Sequence, residues 1–142
     1  MTQSQNTILS TLTVVVVEDN SDLAQLLKKS LQSQAINVTV ITRGDQVIKY
    51  LKNNRVDLIF LDIILPGKDG YQVLKEIKNN DNTKQIPVII LTNLSNTEQV
   101  ERGINLGAAD FLVKTNVTLE EIKKLMHKHI VFHSARKNLH KD

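Results

Sequence analysis

A chain of 142 residues, 41% hydrophobic and 23% charged with a formal net charge of +3, suits one ordinary domain with a single core. The absence of cysteine excludes a disulfide scaffold, a thiolate metal site and a cysteine nucleophile. Met1 to Thr11 carries no charged side chain and no secretory apolar run, and Leu58 to Leu65 is too short and too interrupted to cross a bilayer, so a cytoplasmic protein without membrane insertion is expected.

Short β-branched runs alternate with longer amphipathic segments, the pattern of a parallel sheet flanked by helices. The first strand is Leu12 to Val17, whose unbroken valines predict burial on both faces. Asn20 to Asp22 supplies capping chemistry for a helix with the apolar stripe Leu23, Leu26, Leu27 and Leu31, ending near Gln34. Val38, Val40 and Thr42 mark a second strand, and Val47, Ile48 and Leu51 a helix to about Asn53. The third strand, Val56 to Leu61, enters a loop from Asp62 to Gly70 whose Pro66-Gly67 and Asp69-Gly70 pairs are turn signals. Val73, Leu74 and Ile77 define the third helix. Pro87 opens the fourth strand, Val88 to Leu91. A helix from about Asn96 to Asn105, closed by Gly107, leads to the fifth strand, Ala109 to Val113. The last helix begins near Thr118 with Glu121 completing a capping box, and carries Leu119, Ile122, Leu125, Met126 and Ile130 on one face.

These elements predict a three-layer, doubly wound α/β fold of five parallel strands and five helices. Residues 1–11 read as a flexible segment, 12–133 as the domain and 134–142 as a frayed basic tail, with fraying setting in after Phe132. Lys123, Lys124, Lys128, Arg136, Lys137 and Lys141 crowd towards the C-terminus; a solvated face explains them better than a nucleic-acid contact, and no direct DNA binding is expected. His129 and His133, four apart on the last helix, have a metal-binding spacing but no obvious third ligand.

The polar residues that break the apolar pattern stand at equivalent places in successive βα units. Glu18 and Asp19 follow the first strand, Asp62 the third, Thr92 closes the fourth and Lys114 follows the fifth. In an open parallel sheet these strand ends share one rim, where such folds bind ligands. Any one such aspartate is more often a cap or a solvated group; the set together indicates a site. Three converging carboxylates repel one another unless a cation neutralises them. A hard divalent ion such as Mg²⁺ meets that need and leaves positions for phosphate oxygens. One carboxylate can then act as nucleophile towards a phosphoryl group, with Lys114 and the Thr92 hydroxyl directed at the phosphoryl oxygens.

Glu18-Asp19 after a valine-rich strand, Asp62 with Leu65-Pro66-Gly67 and Asp69-Gly70, Leu91-Thr92, and Phe111-Leu112-Val113-Lys114 resemble, in order and spacing, the receiver domain of two-component response regulators, in its stand-alone, chemotaxis-type form. The resemblance covers about Leu12 to Ile130. It implies a flavodoxin-like strand order 2-1-3-4-5. It implies that Asp62 is the phosphoacceptor, supplied by a sensor histidine kinase, a phosphotransfer protein or a small acyl phosphate. It further implies Mg²⁺ held by Asp19, Asp62 and the backbone carbonyl of Ile64, with Glu18 acting through water. Thr92 and Phe111 match the family's switch pair, which changes the surface of the fourth helix, fifth strand and fifth helix. Only self-phosphorylation and autodephosphorylation are implied as chemistry, with output through an unidentified protein target or a homodimer formed by the last helices.

Four positions depart from the family pattern or tune it. Proline after a cis bond commonly follows the active-site lysine, whereas here Thr115 follows Lys114. A cis bond before a non-proline residue costs about 2.5–4 kcal/mol, which points to a trans bond and a changed aim for Lys114. Asn93 stands where the family places a small residue, which suggests crowding beside the phosphoryl group. Ile64 and Leu94 occupy positions that influence access of hydrolytic water, and two apolar side chains there would shield the acyl phosphate.

Two other functions fit the same fold. A pseudo-receiver would bind protein without accepting phosphate, but the retained acidic set, Thr92 and Lys114 argue against it. A flavin-binding domain would need a cradle of hydrogen-bond donors after the first strand, where this chain has Glu18-Asp19-Asn20.

Overall fold

The computed structural model describes residues 11–139, with side chains described as far as residue 130. Five strands, β1 (Leu12–Val17), β2 (Ile36–Ile41), β3 (Leu58–Leu61), β4 (Val88–Thr92) and β5 (Asp110–Val113), alternate with five helices. These are α1 (Ser21–Leu31), α2 (Val47–Asn53), α3 (Gly70–Lys78), α4 (Thr97–Asn105) and α5 (Leu119–Leu139). Single 3₁₀ turns at Gly44–Gln46 and Lys114–Asn116 precede α2 and α5. All strand pairs are parallel and the order is β2-β1-β3-β4-β5, as the resemblance implies.

The valine run of β1 is explained by its place between β2 and β3, with a helical layer on each face. Val15 and Val17 join Ile59, Leu61, Ile90 and the apolar faces of α2 and α3 in one core. Val14 and Val16 join Leu58, Phe60, Ile89 and Leu91 against Leu27 and Leu31 of α1 and Ile122, Met126 and Ile130 of α5 in the other. An alternating strand would leave one of these layers without an apolar floor.

The helix starts follow the capping chemistry in the sequence. Asn20, Asp69 and Asn96 each accept from the backbone N–H three residues on, at 2.9–3.0 Å. Thr118 and Glu121 form the reciprocal box, with the Glu121 N–H donating to Thr118 Oγ1 at 3.1 Å and the Thr118 N–H to Glu121 Oε1 at 2.9 Å.

Several boundaries differ from the sequence expectation. α1 ends at Leu31 rather than near Gln34, because Gln32 is already extended and the Ala35 carbonyl is taken by the Leu12 N–H, which draws the chain into the sheet. Leu26, expected in the buried stripe, is 48% exposed. It sits well round the helix from the Leu23, Leu27, Leu31 and Ala24 face. β3 begins at Leu58, with Val56 buried just before it, and β2 ends at Ile41, without Thr42. α5 continues to Leu139, past Phe132 where fraying was expected, and no glycine or proline interrupts it. Residues 1–10 of the N-terminal segment, residues 140–142 of the tail and the side chains of His133, Arg136 and Lys137 lie outside the described part. No described helix is long and apolar enough to cross a membrane.

Candidate functional site

Register brings the polar residues to one rim. Val17 of β1 pairs with Leu61 of β3, so Glu18 and Asp62 emerge side by side, and the Asp62 N–H donates to the Val17 carbonyl at 3.1 Å. On the other flank Thr92 pairs with Val113, which places Lys114 one step beyond. Glu18, Asp62 and Thr92 are 2%, 6% and 0% exposed, whereas Asp19 is open to solvent. One carboxylate oxygen from each of Glu18, Asp19 and Asp62 lies within 4.8 Å of the others.

Lys114 joins two of the three acids. Its Nζ is 2.7 Å from Glu18 Oε1 and 2.7 Å from Asp62 Oδ2. Burial works against its charge, but the hydrogen bonds to Asp62 and Glu18 outweigh it and hold the lysine above its ordinary pKa. It is therefore a fixed cation at any physiological pH. The backbone contains no cis peptide bond among the described residues, so Lys114–Thr115 is trans. The expected re-aiming of Lys114 does not follow: the 3₁₀ turn Lys114–Asn116 directs the ammonium onto both acids without proline.

The remaining acceptors are largely committed. Asp62 Oδ1 accepts from the Ile63 N–H at 2.7 Å, and Glu18 Oε2 from the Asn20 N–H at 3.1 Å. Thr92 Oγ1 accepts from the Leu94 N–H at 3.5 Å, the long limit of a hydrogen bond, and its own proton finds no acceptor among the described residues. Asn93 is exposed, and half-buried Leu94 packs onto the core shared by α2 and α3. Ile64 is 62% exposed on the loop beyond Asp62. That loop is seated on α3 through Gly70, whose N–H donates to the Ile63 carbonyl at 2.7 Å and where a Cβ would come within 2.2 Å of the Asp62 carbonyl oxygen. Phe111 is half-buried in β5, its ring directed at Gly103 of α4.

Three carboxylates against one ammonium leave the rim with two excess negative charges, and all the offered atoms are hard oxygens. That donor set fits a divalent cation of the Mg²⁺ or Mn²⁺ kind.

A family model described as the response regulator receiver domain matches residues 14–127. The chain belongs to that family. A probable cyclic di-GMP phosphodiesterase of Vibrio cholerae is 34% identical to this receiver domain over 122 residues, 86% of this chain but 27% of that protein. The phosphate regulon transcriptional regulatory protein PhoB of Rhizobium meliloti is 34% identical over 107 residues, 75% of this chain and 47% of that protein. The chain thus spans between a quarter and a half of the length of these curated relatives. Among solved structures, the signal receiver domain of a LuxO repressor protein from Vibrio parahaemolyticus superposes with a TM-score of 0.84 at 27% identity, covering 92% of this chain and 98% of that one. The Mn²⁺-bound form of response regulator Rcp1 superposes with a TM-score of 0.71 at 28% identity, covering 82% and 90%. Family membership makes this a receiver domain of two-component signalling, consistent with a phosphoacceptor role and with the acidic pocket's capacity for a divalent metal.

Sequence reasoning did not foresee that Glu18 pairs directly with Lys114, nor that Tyr71 reaches across to α4. The first pair joins residues almost a hundred positions apart. For the second, an aromatic following the Asp69-Gly70 turn was the available signal, and it reads equally well as ordinary core.

Proposed function

We propose that Asp62 accepts a phosphoryl group from a sensor histidine kinase or phosphotransfer protein, or from a small acyl phosphate, and that the modified domain signals by presenting a changed protein-binding surface. The observation that carries this reading is the placement of a buried Asp62 beside two further acids, with the Lys114 ammonium at 2.7 Å. An Asp62 carboxylate oxygen attacks phosphorus, an O–P bond forms, and the bond from phosphorus to the donor breaks with its electron pair leaving on the donor. Lys114, already held charged, is positioned to transfer its hydrogen bonds to the phosphoryl oxygens as negative charge gathers there.

Asp19, Asp62 and the Ile64 backbone carbonyl would hold Mg²⁺, with Glu18 acting through water; bound there, the ion offsets the charge of the incoming phosphate. The uncommitted Thr92 proton supplies a donor to the phosphoryl group, and its movement releases space for the Phe111 ring. The surface of α4, β5 and α5 is the output, towards a protein target or a second copy of the chain. Exposed Ile64, Leu26 and Leu119 offer apolar contact for the phosphoryl-donor protein. Ile64 and Leu94 shield the acyl phosphate from water; replacing both with polar residues is expected to shorten its lifetime, and an unchanged dephosphorylation rate would remove that role. The setting of this chemistry is the cytoplasm, where two-component donors present their phosphoryl groups.

Intact mass after incubation with acetyl phosphate tests the central step. One added phosphoryl group, dependent on Mg²⁺ and lost in Asp62→Asn, is expected. No addition to folded protein, while a control receiver is modified, would replace this reading with a phosphorylation-independent binding module.

A further inference from the structure

Tyr71 is 4% exposed at the second position of α3 and belongs to none of the chemistry above. Its ring lies in the core, but its hydroxyl leaves that core and bridges to α4. It donates to the Gln99 backbone carbonyl at 2.9 Å and meets the Gln99 side-chain amide at 2.5 Å. The side-chain contact is with Oε1, so both partners are oxygen acceptors and the single phenolic proton is shared between them. The Arg102 guanidinium lies 4.1 Å from the centre of the same ring. Gln99 is held from its other side as well, its N–H donating to the Asn96 cap at 2.9 Å.

α4 has few other holds. It fully buries only Gly103, and its Ile104 is 46% exposed. The two ends of the Tyr71 contact are also well placed to sense the rim. At one end, Gly70 seats the start of α3 against the Asp62 backbone. At the other, Gln99 belongs to the first turn of the helix that follows the Thr92–Asn96 loop. A shift of Thr92 towards Asp62 would pull on that turn, and the bond from Tyr71 stands in its way.

We propose that Tyr71 is a latch: it holds the first turn of α4 against α3 and sets how readily the domain leaves the state seen here. The hold is a property of the unmodified protein; its release as part of signalling rests on the phosphoryl acceptance proposed for Asp62. Tyr71→Phe removes the hydroxyl and keeps the ring, while Arg102→Gln removes the stacked cation without touching the core.

Amide hydrogen exchange on the unmodified full chain tests the hold. In Tyr71→Phe, exchange in α4 is expected to rise about three- to tenfold, the effect of losing one hydrogen bond, with α1 and α2 unchanged. A smaller rise confined to α4 is expected in Arg102→Gln, which also keeps the latch testable should Tyr71→Phe fold poorly. Unchanged α4 exchange in the folded variants, or equal acceleration in every element, would overturn the latch. The rate of Asp62 modification by acetyl phosphate tests release. A latch opposing the switched state predicts a faster rate in Tyr71→Phe than in wild type, an effect that mere loss of stability does not produce. An equal or slower rate would overturn the coupling. A wild type that takes no phosphoryl group counts against the function proposed for Asp62 and against release, while the exchange result still decides the hold.

Discussion

In β1, Val14 to Val17 are at most 1% exposed, and β3 is closed equally well on both faces; in β5 every residue from Asp110 to Val113 is half-buried, and the neighbouring α4 fully buries only Gly103. Both regions belong to one continuous parallel sheet. The first carries Glu18 and Asp62 on strand ends that two packed cores hold still. The second carries Phe111 and the helix that follows Thr92. Charge convergence needs fixed distances, which dense packing supplies. A surface that must adopt a second arrangement is better built where few apolar contacts have to be broken. Lys114 spans the two regions, since it extends from the end of β5 onto acids at the ends of β1 and β3.

The contrast can be broken most directly at its aromatic residues. Phe60→Ala, in the closed region, is expected to cost about 3–5 kcal/mol in denaturant unfolding, the usual range for a fully buried aromatic. Phe111→Ala should cost about half as much, since its ring is only partly removed from water. Equal losses would mean that the β5 region is as tightly built as the centre.

Next in size is the bridge between the regions. Lys114→Ala is expected to slow acetyl-phosphate modification of Asp62 by about a hundredfold, the scale of removing one preorganised donor from a developing anion. An unaltered rate would show that the ion pair is structural only.

Asn96→Ala should cost about 1 kcal/mol, the usual loss for an N-cap. In hydrogen exchange the effect should appear in α4 and leave α1 unchanged; a loss spread evenly through the domain would contradict the separation of the two regions.

The smallest expected effect is a pH dependence at His129, which faces Asp110 of β5 with Nε2 4.0 Å from Oδ2. Burial holds its pKa below the ordinary 6.5; the Asp110 charge opposes this and Lys128 adds to it. The unfolded chain therefore binds the proton more readily than the folded one. The stability associated with neutral His129 is full above pH 6.5 and is lost as the pH falls through the depressed folded value. Thermal midpoints of wild type and His129→Gln should converge on acidification if wild type is the more stable at neutral pH. A constant difference from about pH 8 to pH 5 would exclude this residue as the source.

The rim was legible in the sequence because its residues interrupt apolar strands at equivalent positions, so that Glu18, Asp19, Asp62, Thr92 and Lys114 stand out against valine, isoleucine and leucine. The layers were legible for a related reason: an unbroken Val14 to Val17 run has no explanation in a sheet covered on one face. Features set by geometry beyond the local pattern were not. The aim of Lys114 depends on a 3₁₀ turn that no motif announces, and the partner of Tyr71 lies 28 residues away across a groove. The early end of α1 follows from where the sheet recaptures the chain, a tertiary constraint that helical periodicity does not contain.

Chemistry at the packed rim is expected to move the loosely packed flank. Amide hydrogen exchange of the phosphorylated and unmodified chain, with Asp62→Asn as the control, measures this directly. The prediction is a change concentrated in α4, β5 and the start of α5, with β1, β3 and α1 silent and no response in the control. A stoichiometrically phosphorylated protein whose α4 and β5 exchange as before, or whose elements all change alike, would contradict it.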